Sequence, residues 1–277
     1  IENNKINVKA QSGWVNQKDQ KAFINNNVQI TDLDNNSILR ADTCYLFNEM
    51  NHSISYGNTL LSIPLDEDTL YLSADTLLQK KRTEGNLLEA YPKANFKSIN
   101  MVGFCDSLSY STKEENLFLN IKPVIWLDKF QFTSDSIRII LNKDLIKMAF
   151  LNKNAFITSE VDSNSFNQIS GENMKAYFHE NKLSNIEVIG NGESIYYVED
   201  EKKRETLGVN KIICSNMNII IKSRQIENIN FYKEPDAILY PINKTDLNDL
   251  ILKGFTWRNK SHIENIIQDK MNKYHLF

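Results

Sequence analysis

Gly103-Phe104-Cys105-Asp106-Ser107-Leu108-Ser109-Tyr110, followed by Pro123-Val124-Ile125-Trp126 and then by Thr133-Ser134-Asp135-Ser136-Ile137, is one full turn of an internal repeat. An acidic or amide residue, usually followed by Ser, Thr or Met, recurs at Asp42, Asp75, Asp106, Asp135, Asn173 and Asn216, in steps of 33, 31, 29, 38 and 43 residues. A second marker opens another apolar run at Gly57, Pro92, Pro123, Asn154, Gly190 and Pro235, which lie 15, 17, 17, 19, 17 and 19 residues after their partners. Each offset accommodates a strand, a turn and a strand, and is too short for a strand plus a packed crossover helix. The repeat therefore sets the fold class before any single residue is interpreted.

Working outward, the same texture fills most of the chain. Ala22-Phe23-Ile24 and Val28-Gln29-Ile30 flank Asn25-Asn26-Asn27, a worn first copy of the Gly57-Asn58-Thr59-Leu60-Leu61 segment. Ile38 to Tyr45 is echoed by Leu70 to Leu77. Polar tips such as Asp34-Asn35-Asn36, Lys113-Glu114-Glu115-Asn116 and His179-Glu180-Asn181 supply the Asn and Asp that tight turns tolerate. Period-two alternation is clearest late in the chain: Ile186, Val188 and Gly190 face one way and Glu187 the other, and Tyr196 separates Ile195 from Tyr197. One face of each strand is apolar and needs a cover, either an opposing sheet or a ligand. About seven units at ~4.8 Å per strand, stacked as two sheets, give an apolar interior roughly 30 Å long.

Helix signals are confined to the end. Thr245 to Leu250 can start a short helix, and Ser261-His262-Ile263-Glu264-Asn265-Ile266-Ile267 predicts another, with Ser261 as cap and Glu264 completing a capping box. The division expected is a β-repeat domain over 1–243 and a partly helical tail over 244–277.

Composition narrows the function classes. The chain has 277 residues, 41% hydrophobic and 24% charged, with a mean hydropathy of -0.43 that marks it as soluble. A formal charge of -3 and a pI near 5.9 argue against a nucleic-acid binder working by phosphate neutralisation. Basic groups such as Lys80-Lys81-Arg82 and Lys202-Lys203-Arg204 are balanced by Asp66-Glu67-Asp68 and Glu199-Asp200-Glu201 and read as solvated hairpin tips. Cys44, Cys105 and Cys214 form no CxxC pair and occupy unrelated phases of the repeat, so they read as buried free thiols. No run approaches the ~18 apolar residues of a membrane helix, and a start at Ile1 without a basic or apolar leader suits either a secreted form whose signal has been removed or a trimmed chain.

The recurrent Ala-Asp-Thr and Asp-Ser markers, Gly57-Asn58, the Gly190-Asn191-Gly192-Glu193-Ser194-Ile195-Tyr196-Tyr197 segment and Leu252-Lys253-Gly254-Phe255-Thr256-Trp257 resemble the OstA-like proteins of Bacteroidetes-type bacteria. These are distant relatives of LptA, the periplasmic lipopolysaccharide-transport bridge. The resemblance runs from about Ala22 to Trp257 and lies in the order and number of degenerate markers. It implies an all-β, elongated, open β-jellyroll (β-taco) of stacked antiparallel repeats whose interior carries the acyl chains of lipid A. It also implies a periplasmic location, no catalytic residue, and end-to-end strand pairing with other lipopolysaccharide-transport proteins or head-to-tail with further copies. The Pro and Asn openings of several second strands and the Trp-containing tail depart from the shorter bridge proteins.

The enzyme readings are weak beside this. His52, His179, His262 and His275 stand in no HExxH or Cys-His metal spacing, so no metal and no cofactor are expected. Gly190-Asn191-Gly192 lacks the third glycine and following helix of a dinucleotide fingerprint and reads as a turn or bulge. There is no GxSxG elbow or P-loop. The repeated Asp residues recur about 30 residues apart inside strand-like stretches, which suits a carboxylate that caps a turn between rungs. The lining expected for the groove is Phe150, Ile157, Ile186, Val188, Ile195, Tyr197, Ile219, Ile221, Phe231 and Ile238, and a single bulge reverses such a phase. The function expected is non-enzymatic periplasmic transport of lipopolysaccharide between inner and outer membranes. The alternatives are a structural or adhesive surface stalk with a closed core and, more remotely, a carbohydrate-active solenoid using the Asp markers.

Overall fold

The computed structural model describes residues 6–47, 51–143, 145–199, 206–223, 225–241 and 250–275. Among them are twenty-two β-strands, antiparallel in every register described, and one C-terminal helix. The architecture is an all-β jellyroll of bent strands.

The bend explains the repeat. In Leu145–Asp162, Ala149 and Leu151 are buried before it and Ala155 and Ile157 after it, while Lys153 and Asn154 between them take φ of 59° and 49°. Consecutive left-handed residues are costly for L-amino acids and reverse the local direction of the chain. The same pair recurs at Asn26 (63°) and Asn27 (52°), Gly57 (69°) and Asn58 (44°), Ile121 (62°) and Lys122 (53°), Gly190 (79°) and Asn191 (49°), and Lys233 (61°) and Glu234 (55°). At Pro92 it is reduced to Lys93 alone (58°). Every second marker of the sequence repeat is thus on, or next to, a corner.

The first markers face these corners across the ladder. Asn26 and Asn27 oppose the single residue Asp42, and Lys153 and Asn154 oppose Glu172, so each corner is a β-bulge of two residues against one. The Asp42 amide donates to the Gly57 carbonyl at 2.9 Å, and those of Asp75 and Asp135 donate to the carbonyls of Pro92 and Lys153 at 3.0 and 3.1 Å. Side chains complete the corner: Asn58 Nδ2 donates to Asp42 Oδ2 at 2.6 Å, and Asn154 Nδ2 to Asp135 Oδ1 at 3.1 Å. The amides of Lys153 and Gly190 donate to Asn173 Oδ1 and Asn216 Oδ1 at 3.1 and 3.0 Å. An acidic or amide side chain is selected here because it accepts a corner hydrogen bond, from the Asn side chain at Asp42 and Asp135 and from a backbone amide that the bend frees at Asn173 and Asn216.

Two of the three cysteines occupy a shared corner position, which corrects the expectation of unrelated phases. Cys105 and Cys214 each direct Sγ to the carbonyl two residues on, at 3.3 and 3.2 Å, as Ser134 Oγ does at 2.7 Å. All three cysteines are buried free thiols. Burial pushes Cys44 up to about 11 and Cys105 up to about 12, so both stay protonated.

The chain forms two compact units, an N-terminal one of 1–121 with 259–277 and a C-terminal one of 122–258. In the N-terminal unit the arms preceding the corners bury a cross-strand row of Ile24, Cys44, Ser55, Leu77, Ala90 and Leu108. The arms following the corners bury Val28, Ile30, Leu39, Leu61, Leu72 and Phe96. The helix Ser261–Lys273 packs through buried Ile263 and Ile267 onto Leu60–Pro64, Thr69–Ser73, Ala94–Lys97 and Met101–Cys105. Lys270 Nζ donates to the Thr59 carbonyl at 3.2 Å, Tyr274 Oη to that of Asn58 at 2.8 Å, and Lys273 pairs with Asp42 at 2.9 Å.

The capping box expected at Ser261 is not formed. Lys260 is the cap residue without a side-chain cap bond, and Asn259 Oδ1 instead accepts from the Ser261 amide at 2.9 Å. Helical backbone continues through the polar stretch to Lys273. Of the other expected helix, residues 245–249 lie outside the described residues, and Leu250 is buried against the sheet.

In the C-terminal unit, four long strands, Leu145–Asp162, Ser165–His179, Lys182–Glu199 and Thr206–Lys222, run as an antiparallel meander. Gln225–Tyr232 and Asp236–Pro241 form its last rung, and among the described residues each pairs with Thr206–Lys222 and with no other strand.

Candidate functional site

The registers of the C-terminal unit define one continuous apolar interior. Leu151, Met174, Val188, Met217 and Phe231 stand directly opposite one another across five strands of one arm, flanked by Ala149, Ala176, Ile186, Ile219 and Ile229. On the other arm the inward row is Phe132, Ile157, Ile169, Ser194, Ile212 and Ala237. The rings of Phe132 and Phe178 lie 6.3 Å apart, joining the two arms across the interior.

Exposure changes along these rows. Ile186 and Ile219 are 0% exposed and Val188 1%, whereas Ile229 and Phe231 on the last rung are half-buried. On the other arm Ile212 is 2% exposed, and inward-facing Leu239 on the last rung is 63% exposed. The interior is a packed core through its length and meets solvent at its last rung.

The residues expected to line a groove divide by face. Ile157, Ile186, Val188, Ile219, Ile221 and Phe231 belong to the interior. Phe150 faces the other way, where the Arg138 guanidinium lies 4.4 Å from its ring centroid and Lys175 stands opposite it. Ile238 pairs with Lys211 on an outer face and is 50% exposed. Ile195 and Tyr197 are buried, but on the outer side. With Phe156 and Val209 they pack against Leu250 and Leu252 of the chain's own C-terminal segment.

The reason is a parity rule. Crossing a left-handed pair advances the inward position by four, from Val188 to Gly192, Leu151 to Ala155 or Ile24 to Val28, so even-numbered residues of Lys182–Glu199 point inward on both arms. Ser194 and Tyr196 are inward and Ile195 and Tyr197 outward. Leu151, Met174 and Met217, absent from the expected lining, follow from the same rule once each corner is located from its marker.

The C-terminal segment is held over this outer face by two buried amides. Gln168 Nε2 donates to the Leu250 carbonyl at 3.1 Å and its Oε1 accepts from the Leu252 amide at 2.9 Å. Gln131 likewise donates to the Thr256 carbonyl and accepts from the Arg258 amide, both within hydrogen-bonding distance. Each side chain copies a backbone amide and binds the segment as a neighbouring strand would. Phe255 and Trp257 stack near Phe166, with centroids 5.3 and 5.2 Å away.

The markers serve the corners. Asp42, Asp135, Asn173 and Asn216 are engaged in corner hydrogen bonds, and among the described residues no group of three His, Cys, Asp or Glu is placed to hold a metal. Among the described residues no helix is long and apolar enough to cross a membrane. At Asp42 burial opposes ionisation, but hydrogen bonds from Lys273 and Asn58 outweigh it and hold the carboxyl below the usual carboxylate range.

No protein-family model matches the chain, and no curated protein matches it. Among solved structures it is similar to LptH, the LptA homologous periplasmic component of the lipopolysaccharide transport device from Pseudomonas aeruginosa, at 13% identity and a TM-score of 0.24 over 51% of this chain and 80% of that one.

Proposed function

We propose that the chain is a non-enzymatic periplasmic lipid-transport protein that takes the acyl chains of lipopolysaccharide against its apolar interior and joins neighbours through its terminal rung. The observation carrying this reading is the interior of the C-terminal unit, whose apolar rows become solvent-accessible at Phe231, Ile229 and Leu239. There an acyl chain meets apolar side chains without displacing packed ones. Burial drives the contact, at about 0.8 kcal/mol for each methylene removed from water, and such contacts are non-directional, so a chain can slide onward. The rung's outer edges face no other strand among the described residues, which suits pairing with a further β protein. The repeat markers that resemble the OstA-like proteins support the same reading and give the cargo its class.

The competing reading is a cargo-free structural or adhesive stalk, favoured by the dryness of the interior at Ile186, Ile219 and Phe132, each 0% exposed. Native mass spectrometry with and without lipopolysaccharide, combined with a photo-crosslinker at Phe231 or at outward-facing Phe150, separates the two. Transport predicts a stoichiometric adduct that crosslinks from position 231 and not from 150. A clean apo mass without crosslink, on folded protein, leaves the stalk.

A further inference from the structure

The N-terminal unit carries a second surface with a different chemistry, on the outer face of the arms that precede its corners. Across these strands the registers place Trp14 opposite Phe23 and Phe23 opposite Tyr45. Their rings form a connected row, with centroids 6.2 and 4.9 Å apart, and Tyr45 continues to Phe47 and Tyr56 at 6.3 Å each. Trp14 is 52% exposed, Tyr56 41% and Tyr45 38%. Singly exposed aromatics need no explanation, but a contiguous row of rings on one sheet face is a surface prepared for a ligand.

The flanks of the row differ. Toward the hairpin tips, Lys21 stands opposite Phe47, Phe47 opposite His52, and His52 opposite Lys80. Among the described residues neither Lys21 nor Lys80 forms an ion pair. Burial and the adjoining Lys80 charge both push the His52 imidazole down from its ordinary value, and its Nε2 is buried without a hydrogen-bond partner. Among the described residues the acids near this face are Glu89, in the aromatic row's line beyond Leu78, and Asp19 at the tip of the hairpin that ends in Lys21, where Asn16 Nδ2 donates to its Oδ2 at 2.8 Å. Toward the corners, the neighbouring line offers Asn25, Thr43 and Tyr56, with Thr43 Oγ1 donating to Asn25 Oδ1 at 2.9 Å.

We infer that this face binds an acidic polysaccharide, its sugar rings lying on Trp14, Phe23 and Tyr45 and its carboxylates meeting Lys21, His52 and Lys80. Amphipathic rings suit the apolar faces of sugars, the amide and hydroxyl line suits their hydroxyls, and the basic line supplies charge complementarity that a neutral glycan would not use. A lipid surface fits less well, because hydrogen-bonding groups border the aromatic row on its corner side, where acyl chains would leave them unmet. This site is separate from the apolar interior, and its test does not depend on lipid transport.

Calorimetric titration of the whole chain with oligogalacturonate, with neutral cello-oligosaccharide of matching length as control, tests the inference. Binding of the acidic oligomer is expected, about tenfold weaker in Trp14→Ala and in Tyr45→Ala, exposed positions whose truncation leaves the strand registers in place. Lys80→Gln should reduce the preference for the acidic over the neutral oligomer, and bound carboxylate should raise the His52 imidazole pKa followed by NMR. Absence of binding to oligogalacturonate, equal binding of both oligomers, or affinity unchanged by both aromatic substitutions overturns it. Stronger binding to phosphatidylglycerol vesicles free of sugar also overturns it, in favour of a membrane-facing surface.

Discussion

The two arms of the long strands in the C-terminal unit share corners, ladders and an apolar interior, yet their outer faces are opposites. Before the corners the outer face carries Arg138, Phe150, Lys175, Glu187 and Asn218, a mixed surface in which Lys175 pairs with Glu187 at 3.9 Å. After the corners it carries Phe156, Gln168, Ile195, Tyr197 and Val209, sealed by the segment from Leu250 to Arg258. The difference teaches what alternation can and cannot say. A strand solvated on one side alternates, as Ser136 to Ile140 does, whereas 155–159 is buried at every position and reads as a continuous run. Such a run marks a second cover, and here the chain supplies that cover itself.

The comparison breaks most decisively at the glutamines. Gln168→Ala removes the partners of one carbonyl and one amide buried beneath the segment, and a cost of about 2–5 kcal/mol in urea unfolding is expected, with lost hydrogen-exchange protection at Leu252. A cost within experimental error would show that the apolar cluster alone holds the segment. Smaller effects follow from the corner. The inward Gly171 has no room for a methyl group, which would meet Val188 Cγ1, so Gly171→Ala should cost about 1–3 kcal/mol and be partly restored by Val188→Ala. Full additivity of the two substitutions would place the strain elsewhere.

On the covering helix the expected effects are smaller again. Because the folded Asp42 carboxyl is held below its ordinary value, its contribution is present above about pH 4 and is lost as pH falls through the folded value. Asp42→Asn should loosen the C-terminal helix by under about 1 kcal/mol at neutral pH, and remove part of its acid sensitivity, read by hydrogen exchange at Ile263 and Ile267. An unchanged acid profile would discard Asp42 as the anchor. At the far end of the scale, Lys175→Ala on the solvated outer face should move stability by no more than about 0.5 kcal/mol. A larger change would mean that this face, too, has a cover.

The sequence by itself determined the antiparallel β class, the repeat and the place of each corner. Those are local matters: a bulge needs left-handed backbone on one strand and an accepting side chain on the other, so Gly57 with Asp42 and Asn154 with Asp135 are visible in the chain as markers. The interior positions of single arms, such as Ile186 with Val188 and Ile219 with Ile221, were equally legible, because alternation is a property of the strand. What only the tertiary structure decided is what covers the outward apolar face of an arm. Ile195 and Tyr197 are as apolar as the inward Ile186 and Val188; the corner at Gly190 and Asn191 turns them outward, and nothing within ten residues shows that their outward face is buried. That cover is supplied by Leu250 and Leu252, more than fifty positions away, and by Gln168, whose amide binds the returning chain. Burial is a sum over distant neighbours, and a periodic pattern reports that a face is apolar without naming what covers it.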